Sequence, residues 1–302
     1  MVILVRAPNA SAMTLQGTNS YILVCGNGEG LVIDPGPAIE SHARALLDAA
    51  RANGLTLRTI VLTHGHPDHA AGAQRLVALT GATLHAHPAS RVPHDLDLPL
   101  EEKLRAGEIE LHTIDAPGHT FDHAIFYLPH ERALFTGDTI LGEGTTVIAP
   151  PGGAMRPYQR TLQRLADEFG DARIIYGGHG PVLNDPRATI AEYIAHRQMR
   201  EQQILDALRD EPLTIPDLVQ RIYSRQRQVL WPAMARQILA HLNALESEGR
   251  VRSQPLARAM SAQEMAILNP RIEEVVGPED AAVIVAELGT ELRLETLNVY
   301  SL

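Results

Sequence analysis

Apolar and polar positions follow two different periods along the first 195 residues. Short apolar runs bounded by glycine, proline or polar residues are typical of strands, whereas apolar residues every three or four positions are typical of helices. Alternation of the two indicates an α/β fold with helices on the outer faces of the sheets. The strand-like runs are YILVCG, GLVIDPG, TIVLTH, TLHAHP, IELHTIDAPGH, HAIFYLP, ALFTGDTI and ARIIYGGHGP; the helix-like ones are ESHARALLDAARANG, DHAAGAQRLVALTG and YQRTLQRLADEFG.

The pattern becomes helical after Asp185. One long helix is predicted over DPRATIAEYIAHRQMREQQILDALRD, with proline in its first turn. LTIPDLVQRIYS and MARQILAHLNALESEGRVRS predict two more helices and a short GRV hairpin, the outline of a winged helix. We therefore expect an α/β domain over 1–195, a winged-helix-like domain over 196–255, and an extension over 256–302. The extension has strand character and suits a small sheet or a dimer contact.

Composition narrows the classes of function. The formal net charge of −10 and an aromatic content of 4% oppose binding to a phosphate backbone or to stacked bases, and favour a small-molecule substrate. No apolar run reaches 18 residues, and MVILVRAPNA lacks the features of a signal peptide. These absences predict a cytoplasmic protein without a membrane span. A single cysteine, Cys25, excludes an intrachain disulfide and a zinc site built from cysteines.

Ligand-type side chains instead cluster where the predicted strands end. The turn after TIVLT carries His64, His66, Asp68 and His69. On extended backbone the two rings of a His-x-His pair point to the same side, and the start of the next helix turns Asp68 and His69 back towards them. Imidazole and carboxylate are both metal ligands. Three further residues follow later strands on loops, where active sites of α/β proteins are built: His119, Asp138 and His179.

The ordered set THGHPDH, PGHT, GD and GGHGP resembles the metallo-β-lactamase-fold hydrolases. The resemblance implies an αββα sandwich that holds two divalent metal ions, with Zn²⁺ favoured and iron or manganese as alternatives. It implies that the first ion is held by one trio, the second ion by another, and that Asp138 bridges them. The first trio is His64, His66 and His119; the second is Asp68, His69 and His179.

A closer resemblance, to the lactamase-B-like-2 group, covers residues 1 to about 255. It rests on LQGTNSYIL, LVIDPG, GEGTTVI, YQRTLQRL and ILAHLNALESEGRV. That group pairs the catalytic fold with a small winged helix, is related to glyoxalase II, and includes both single-strand endoribonucleases and acyl-carrier thioesterases. True zinc β-lactamases of this fold lack the bridging aspartate, so Asp138 argues against that activity. The loop APPGGAM departs from the group's pattern, and the adjacent Arg156 and Tyr158 are candidate substrate contacts.

The leading hypothesis is a dinuclear hydrolase that uses a metal-bridging hydroxide on an ester or thioester of a small acyl substrate. Asp68 would orient or deprotonate the nucleophile, as the resemblance implies. One alternative is a metal-dependent single-strand endoribonuclease or phosphodiesterase, which needs a basic track. From His196 to Arg252 the chain offers only nine arginines against seven acidic residues. Another alternative is a ligand-sensing DNA-binding regulator. A homo-oligomer is compatible with each of these hypotheses.

Overall fold

The computed structural model describes residues 1–11, 13–269 and 296–302, and the chain forms two compact units. Unit 1 comprises Met1–Thr146 and Arg164–Ile190, and unit 2 comprises Val147–Gln163 and Ala191–Leu302. The segment 147–163 thus groups with the C-terminal part of the chain, while the domain limits at 195 and 255 stay predictions. Among the described residues, no helix has the length and apolar character needed to cross a membrane. The cytoplasmic location stays a prediction.

Unit 1 contains two sheets, the first with six strands in sequential order. Its first three strands are antiparallel, and its last three are added in parallel. Parallel pairing needs crossover connections, and α-helices supply the first two of them. The strands are β1 Val2–Arg6, β2 Asn19–Val24, β3 Glu29–Ile33, β4 Thr56–Val61, β5 Thr83–Ala86 and β6 Leu96–Asp97.

The second sheet has five strands and packs face to face with the first. The strands are β7 Lys103–Ala106, β8 Ile109–Asp115, β9 Ala124–Leu128, β10 Ala133–Gly137 and β11 Ile174–Gly177. Their order is β11-β10-β9-β8-β7, with only the β10–β11 pair parallel. Alternate side chains of the two sheets, among them Leu31, Val61, Leu111 and Phe126, form one buried core between them.

Helices cover the outer faces of the two sheets. Helix α1 (Glu40–Ala52) and helix α3 (Ala73–Thr80) bury Leu46 and Leu76 against the first sheet. Phe169, directly after helix α4 (Met155–Glu168), lies 5.0 Å from the ring of Tyr127 on the second sheet. The layers therefore run helix, sheet, sheet, helix, and the predicted αββα architecture is confirmed.

The single helix predicted from Asp68 to Gly81 is instead two helices. Helix α2 (Pro67–Ala70) ends after one turn, and α3 starts at Ala73. Gly72 lies between them against the 35–37 turn, donating its N–H to the Gly36 carbonyl at 2.8 Å. A Cβ at Gly72 would come within 3.0 Å of three backbone oxygens of that turn. This close approach to a distant turn ends the first helix.

Unit 2 is mostly helical, with a small three-stranded sheet. The elements are α5 Pro186–Asp210, β12 Leu213–Thr214, α6 Ile215–Tyr223, a 3₁₀ turn Gln228–Leu230, α7 Trp231–Ser247, β13 Arg252–Pro255, α8 Ala262–Leu268 and β14 Asn298–Ser301. A capping box, in which Thr214 and Asp217 bond each other's backbone N–H, begins helix α6. The buried faces of α5, α6 and α7 enclose an apolar core that includes Ile204, Leu218 and Leu242.

The predicted local GRV hairpin is wrong in its pairing. Strand β13 pairs with β14 from the end of the chain, and β14 lies between β13 and β12. The chain does not turn back after Pro255 because a second capping box, Ser261 with Glu264, starts α8. The strand-like stretch AAVIVAEL and the predicted turn at Gly289 lie outside the described residues.

Candidate metal centre

The ends of three strands in unit 1 and one loop place all seven predicted ligands at one edge of the sandwich. The turn after β4 carries His64 and His66, and α2 then begins at Pro67, so that Asp68 and His69 lie in its first turn. Asp138 directly follows β10, and His179 follows the parallel strand β11. His119 lies on the loop between β8 and β9.

Four of these side chains form a first cluster: His64, His66, His119 and Asp138. Their ligand atoms all lie within 4.8 Å of one another. His66 Nδ1 lies 3.0 Å from His64 Nε2 and 3.1 Å from His119 Nε2. Three ring nitrogens therefore face a common point.

The other three side chains form a second cluster: Asp68, His69 and His179. Asp68 Oδ2 lies 3.2 Å from His179 Nε2 and 3.4 Å from His69 Nε2, and the two ring nitrogens lie 3.3 Å apart. All three residues are buried.

The carboxylate of Asp138 lies between the two clusters. Its Oδ2 is 3.6 Å from His119 Nε2 in the first cluster. Its Oδ1 is 3.3 Å from His69 Nε2 and 3.5 Å from His179 Nε2 in the second cluster. One carboxylate thus offers one oxygen to each side, which is the arrangement of a bridging ligand.

The donor set fits two metal ions. Ligands bonded at 2.0–2.1 Å around a tetrahedral ion lie about 3.3 Å apart, and the nitrogen separations within the clusters are close to that value. Facing ring nitrogens of neutral imidazoles present lone pairs to one another, which a shared cation stabilises. Asp138 Oδ1 also has no hydrogen-bond donor among the described residues, although it is buried.

Asp34, at the end of β3, orients ligands in both clusters. Its Oδ2 accepts from His69 Nδ1 at 2.8 Å and from the Thr63 hydroxyl at 2.7 Å, and its Oδ1 accepts from the Thr63 N–H at 2.7 Å. Because the Thr63 hydroxyl donates to Asp34, it accepts from His64 Nδ1 at 3.0 Å. Both histidines therefore turn Nε2 towards the clusters.

Residues of β2 hold the loop that carries His179. The Asn19 amide donates to the carbonyls of Gly177 and Gly180 at 3.0 and 2.9 Å, and the Tyr21 hydroxyl donates to Gly177 at 2.7 Å. A Cβ at Gly178 would lie 2.5 Å from Asp138 Oδ1 and 2.6 Å from the His69 ring. Only glycine allows the backbone to approach the ligands this closely.

His123 supports the clusters from behind. Its ring stacks on that of His64 at 4.9 Å, and its Nε2 accepts from the Asp138 backbone N–H at 3.2 Å. Burial, followed by the charge of neighbouring His119, holds the pKa of His123 well below its ordinary value. The ring is therefore neutral, as an acceptor of that hydrogen bond must be.

Burial and neighbouring charges set the protonation states within the clusters. Burial, then His119, lowers the pKa of His66 to about 3, so this ligand is neutral over the physiological range. Burial alone would raise the pKa of Asp68, but the adjacent His69 and His179 hold it below its ordinary value. Burial lowers the pKa of His69, but the carboxylates of Asp68 and Asp138 raise it well above the ordinary value. A cation held beside those carboxylates would displace the proton of that ring. The carboxylates are therefore ionised, as metal ligation requires.

The two predicted substrate residues belong to unit 2. Tyr158 is completely buried, and the Arg197 guanidinium lies over its ring at 5.0 Å from the centroid. Arg156 is engaged in ion pairs: it donates to both oxygens of Glu248, at 2.5 and 2.8 Å, and to Glu201 at 2.5 Å. A substrate contact by either residue stays a prediction.

Arg156 forms part of a closed ring of four charges. Arg250 completes it by donating to Glu201 at 2.7 Å and to Glu248 at 3.3 Å. We call these four residues the ion-pair ring. They line one end of a cavity of about 500 Å³ whose walls also carry Gln159 and other glutamines of α4 and α5.

The residues that orient the ligands were not predicted from the sequence. Asp34 directly follows a strand-like run in LVIDPG, as Asp138 does in LFTGDT. That position is the sequence signal that could have identified Asp34. Thr18 and Asn19 precede the strand run YILVCG and carry no metal-binding pattern of their own. His123, four positions after His119, contacts His64 and Asp138.

Comparison with known proteins gives the family of the chain. Residues 13–179 match the family model of the metallo-beta-lactamase superfamily, and residues 214–258 match that of the beta-lactamase associated winged helix domain. The chain is 34% identical, over 83% of its length and 89% of the relative's, to a Drosophila melanogaster protein named beta-lactamase-like protein 2 homolog. It is 32% identical, over 68% of its length and 62% of the relative's, to a Cryptosporiopsis protein named atrochrysone carboxyl ACP thioesterase.

A solved structure shows the same architecture. The chain superposes on a metallo-beta-lactamase family protein from Thermus thermophilus with a TM-score of 0.69 and 26% identity, covering 84% of this chain and 95% of the other. The family resemblance and the enzyme class predicted from the sequence are confirmed. The chain belongs to the metallo-beta-lactamase superfamily of metal-dependent hydrolases, and it carries the winged helix domain associated with that family.

Proposed function

We propose that the chain is a dinuclear metal-dependent hydrolase that cleaves an ester or thioester of a small acyl substrate. The observation that carries this proposal is the carboxylate of Asp138, with one oxygen near each cluster. A residue in that position serves two ions at once and has no evident role for a single ion. Zn²⁺ is the proposed metal because imidazole supplies five of the seven ligands; iron and manganese are the alternatives.

Two divalent ions, when bound, polarise a substrate carbonyl and lower the pKa of a water molecule. The first cluster would hold one ion, the second cluster the other, and Asp138 both. Asp68 is proposed as the proton acceptor, because it lies in the second cluster with its hydrogen bond from Thr18 and its nearest approaches to His69 and His179 all through Oδ2. The water oxygen bonds to the acyl carbon, Asp68 takes the proton, the C–S bond breaks, and the thiolate leaves with that proton. The products are a carboxylate, a thiol and one proton.

Three observations favour an acyl substrate over a nucleic acid. One relative of the chain is named as a thioesterase, and the chain's own net charge is −10. The third observation concerns α7, the second helix of the winged helix domain, which in DNA-binding helix-turn-helix proteins enters the major groove. Here Gln237 and His241 of α7 are buried, and Arg236 donates to the Leu268 carbonyl at 2.9 Å. These three polar side chains of α7 are therefore committed inside the protein.

A hydrolysis panel tests the proposal. Metal-loaded protein is assayed on an acyl-glutathione thioester, bis-p-nitrophenyl phosphate, single-stranded RNA and a chromogenic β-lactam. The site variant is Asp138→Ala, and the matched control is Asp97→Ala. Asp97 also contacts a histidine, His94, at 2.9 Å, but this exposed pair has no third ligand nearby among the described residues.

We expect thioester turnover in the wild type and in Asp97→Ala. In Asp138→Ala we expect the rate of thioester turnover to fall about 10³-fold. Metal ions stabilise the charge of the transition state by several kcal/mol, and each 1.36 kcal/mol changes the rate about tenfold. RNA cleavage that disappears in Asp138→Ala, without thioester turnover, would replace the acyl substrate with a phosphodiester. Equal turnover by Asp138→Ala and wild type would reject the two-ion site.

A further inference from the structure

A buried threonine outside the seven-residue site contacts one of its carboxylates. Thr18 precedes β2 and is fully buried. Its hydroxyl lies 2.8 Å from Asp68 Oδ2, with 50 residues of chain between them. This hydroxyl is the only side-chain group outside the two clusters that bonds Asp68 among the described residues.

The direction of that hydrogen bond is fixed by Asn9. Asn9 Oδ1 accepts from the Thr18 backbone N–H at 2.9 Å, and only an oxygen can accept there. The other side-chain atom of Asn9 is therefore the amide nitrogen, which donates to Thr18 Oγ1 at 3.0 Å. Because Thr18 Oγ1 accepts from Asn9, its own hydrogen is directed to Asp68. Asn9, Thr18 and Asp68 thus form a one-way hydrogen-bond chain.

This hydrogen-bond chain selects one of the two carboxylate oxygens. The oxygen that accepts from Thr18 is Oδ2, the same atom that lies 3.2 Å from His179 Nε2 and 3.4 Å from His69 Nε2. Rotation of the carboxylate to present both oxygens to the second cluster would break the bond to Thr18. Thr18 therefore favours a single-oxygen ligand that uses Oδ2.

The segment around Thr18 is itself firmly held. Gly17 adopts a φ of +118°, and a Cβ there would overlap the Ala7 carbonyl oxygen. The Ala7 N–H donates to the Thr18 carbonyl at 2.8 Å, and the next residue, Asn19, bonds the loop of His179. A rigid backbone makes the position of the Thr18 hydroxyl independent of Asp68, so that the threonine can position the aspartate and not the reverse.

We propose that Thr18, oriented by Asn9, is a positioning residue that holds Asp68 as a single-oxygen ligand of the second cluster. This inference rests on the proposed two-ion function. It predicts that loss of the hydroxyl weakens the second ion and leaves the first ion unaffected. The reason is that the hydrogen bonds of Thr18 and Asn9 within the described chain reach Asp68 but no residue of the first cluster.

Metal titration separates these effects. Metal-free protein is titrated with Zn²⁺ against a chromophoric chelator, which gives the number of ions and the affinity of each. Thr18→Val removes the hydroxyl at nearly constant shape, and Thr18→Ser restores it. Asn9→Asp keeps the acceptor for the Thr18 N–H but replaces the amide donor with an oxygen, which draws the Thr18 hydrogen away from Asp68. Thermal melting of each metal-free variant reports its folding.

We expect two ions in the wild type and in Thr18→Ser. In Thr18→Val and Asn9→Asp we expect the affinity for one ion to fall about 10- to 100-fold, the usual effect of removing an outer hydrogen bond to a ligand, with the other ion unchanged. Wild-type affinities for both ions in Thr18→Val, or an equal loss at both sites, would overturn the inference. If Thr18→Val does not fold, Asn9→Asp decides by the same criterion. A wild type that binds fewer than two ions would instead reject the proposed function, and this inference with it.

Discussion

The seven-residue site and the ion-pair ring are both dense clusters of ionisable side chains, but their charges are balanced differently. In the ring, Arg156 and Arg250 alternate with Glu201 and Glu248, so each charge already has an opposite neighbour. The seven-residue site consists of five imidazoles and two carboxylates, without an arginine or lysine among them. The ring is balanced by its own members, whereas the ligand atoms of the site are imidazole nitrogens and carboxylate oxygens, which are all metal ligands.

This difference separates a structural cluster from a binding one. Buried charges are stable only when they are paired, so a buried cluster of such ligand atoms is suited to a cation. A closed ring of opposite charges indicates a contribution to the fold. Removal of a ring residue should therefore affect stability, whereas removal of a residue that supports the site should affect metal binding.

The largest expected effect is a loss of metal affinity when Asp34 is replaced. Asp34→Asn should weaken the second ion about 10- to 100-fold, because an amide nitrogen facing His69 Nδ1 would force that ring into the tautomer that protonates Nε2. Asparagine suits the backbone, since position 34 has a φ of +51°. Zn²⁺ titration of the variant gives the affinity. The control is Asp97→Asn at the exposed Asp–His pair, and equal affinities in the two variants would contradict the assignment.

The second expected effect is a loss of stability when Glu201 is replaced. Glu201→Ala should lower the free energy of unfolding by about 2 kcal/mol, because it leaves two partly buried guanidinium groups without this partner. Urea unfolding of the metal-free protein measures this change, and Zn²⁺ titration should still find two ions. Loss of an ion in Glu201→Ala without a fall in the free energy of unfolding would show that the ring supports metal binding and not the fold.

The smallest effect concerns pH and Glu248. The hydrogen bond from Arg156 lowers the pKa of Glu248 to about 2. Because this pKa lies below that of the unfolded chain, the stabilisation is present above about pH 4.5 and is lost as pH falls towards 2. The side chain is 36% exposed, so we expect less than about 1 kcal/mol. Urea midpoints of metal-free wild type and Glu248→Gln should differ at about pH 6 and approach each other as the pH falls towards about 2; a constant difference would argue against the ion pair.

The seven predicted ligands lie together because the sequence information that places them is local. His64, His66, Asp68 and His69 lie within six positions, and the other three ligands each follow an apolar strand. Strand ends meet at one edge of a sheet, so residues in such positions come together even when the details of the fold are not known. The αββα order followed from the same alternation of strand-like and helix-like runs.

The parts that could not be predicted depend on contacts between distant residues. Thr18 bonds Asp68 across 50 residues, and β14 pairs with β13 across a similar separation. Gly72 ends a helix only because the 35–37 turn lies against it. In each case the local pattern is compatible with other structures, and packing against a distant segment decides between them.

The division of the ligands between β4 and β11 has a consequence for protein synthesis. The cluster-forming turn at 64–69 leaves the ribosome about 110 residues before His179, which at roughly 5–20 residues per second is a delay of about 5 to 20 s. During that interval the nascent chain displays three histidines and an aspartate without the partners that arrive last. The second cluster cannot be assembled until both sheets have formed, so the order of translation itself postpones metal capture until the sandwich is nearly complete.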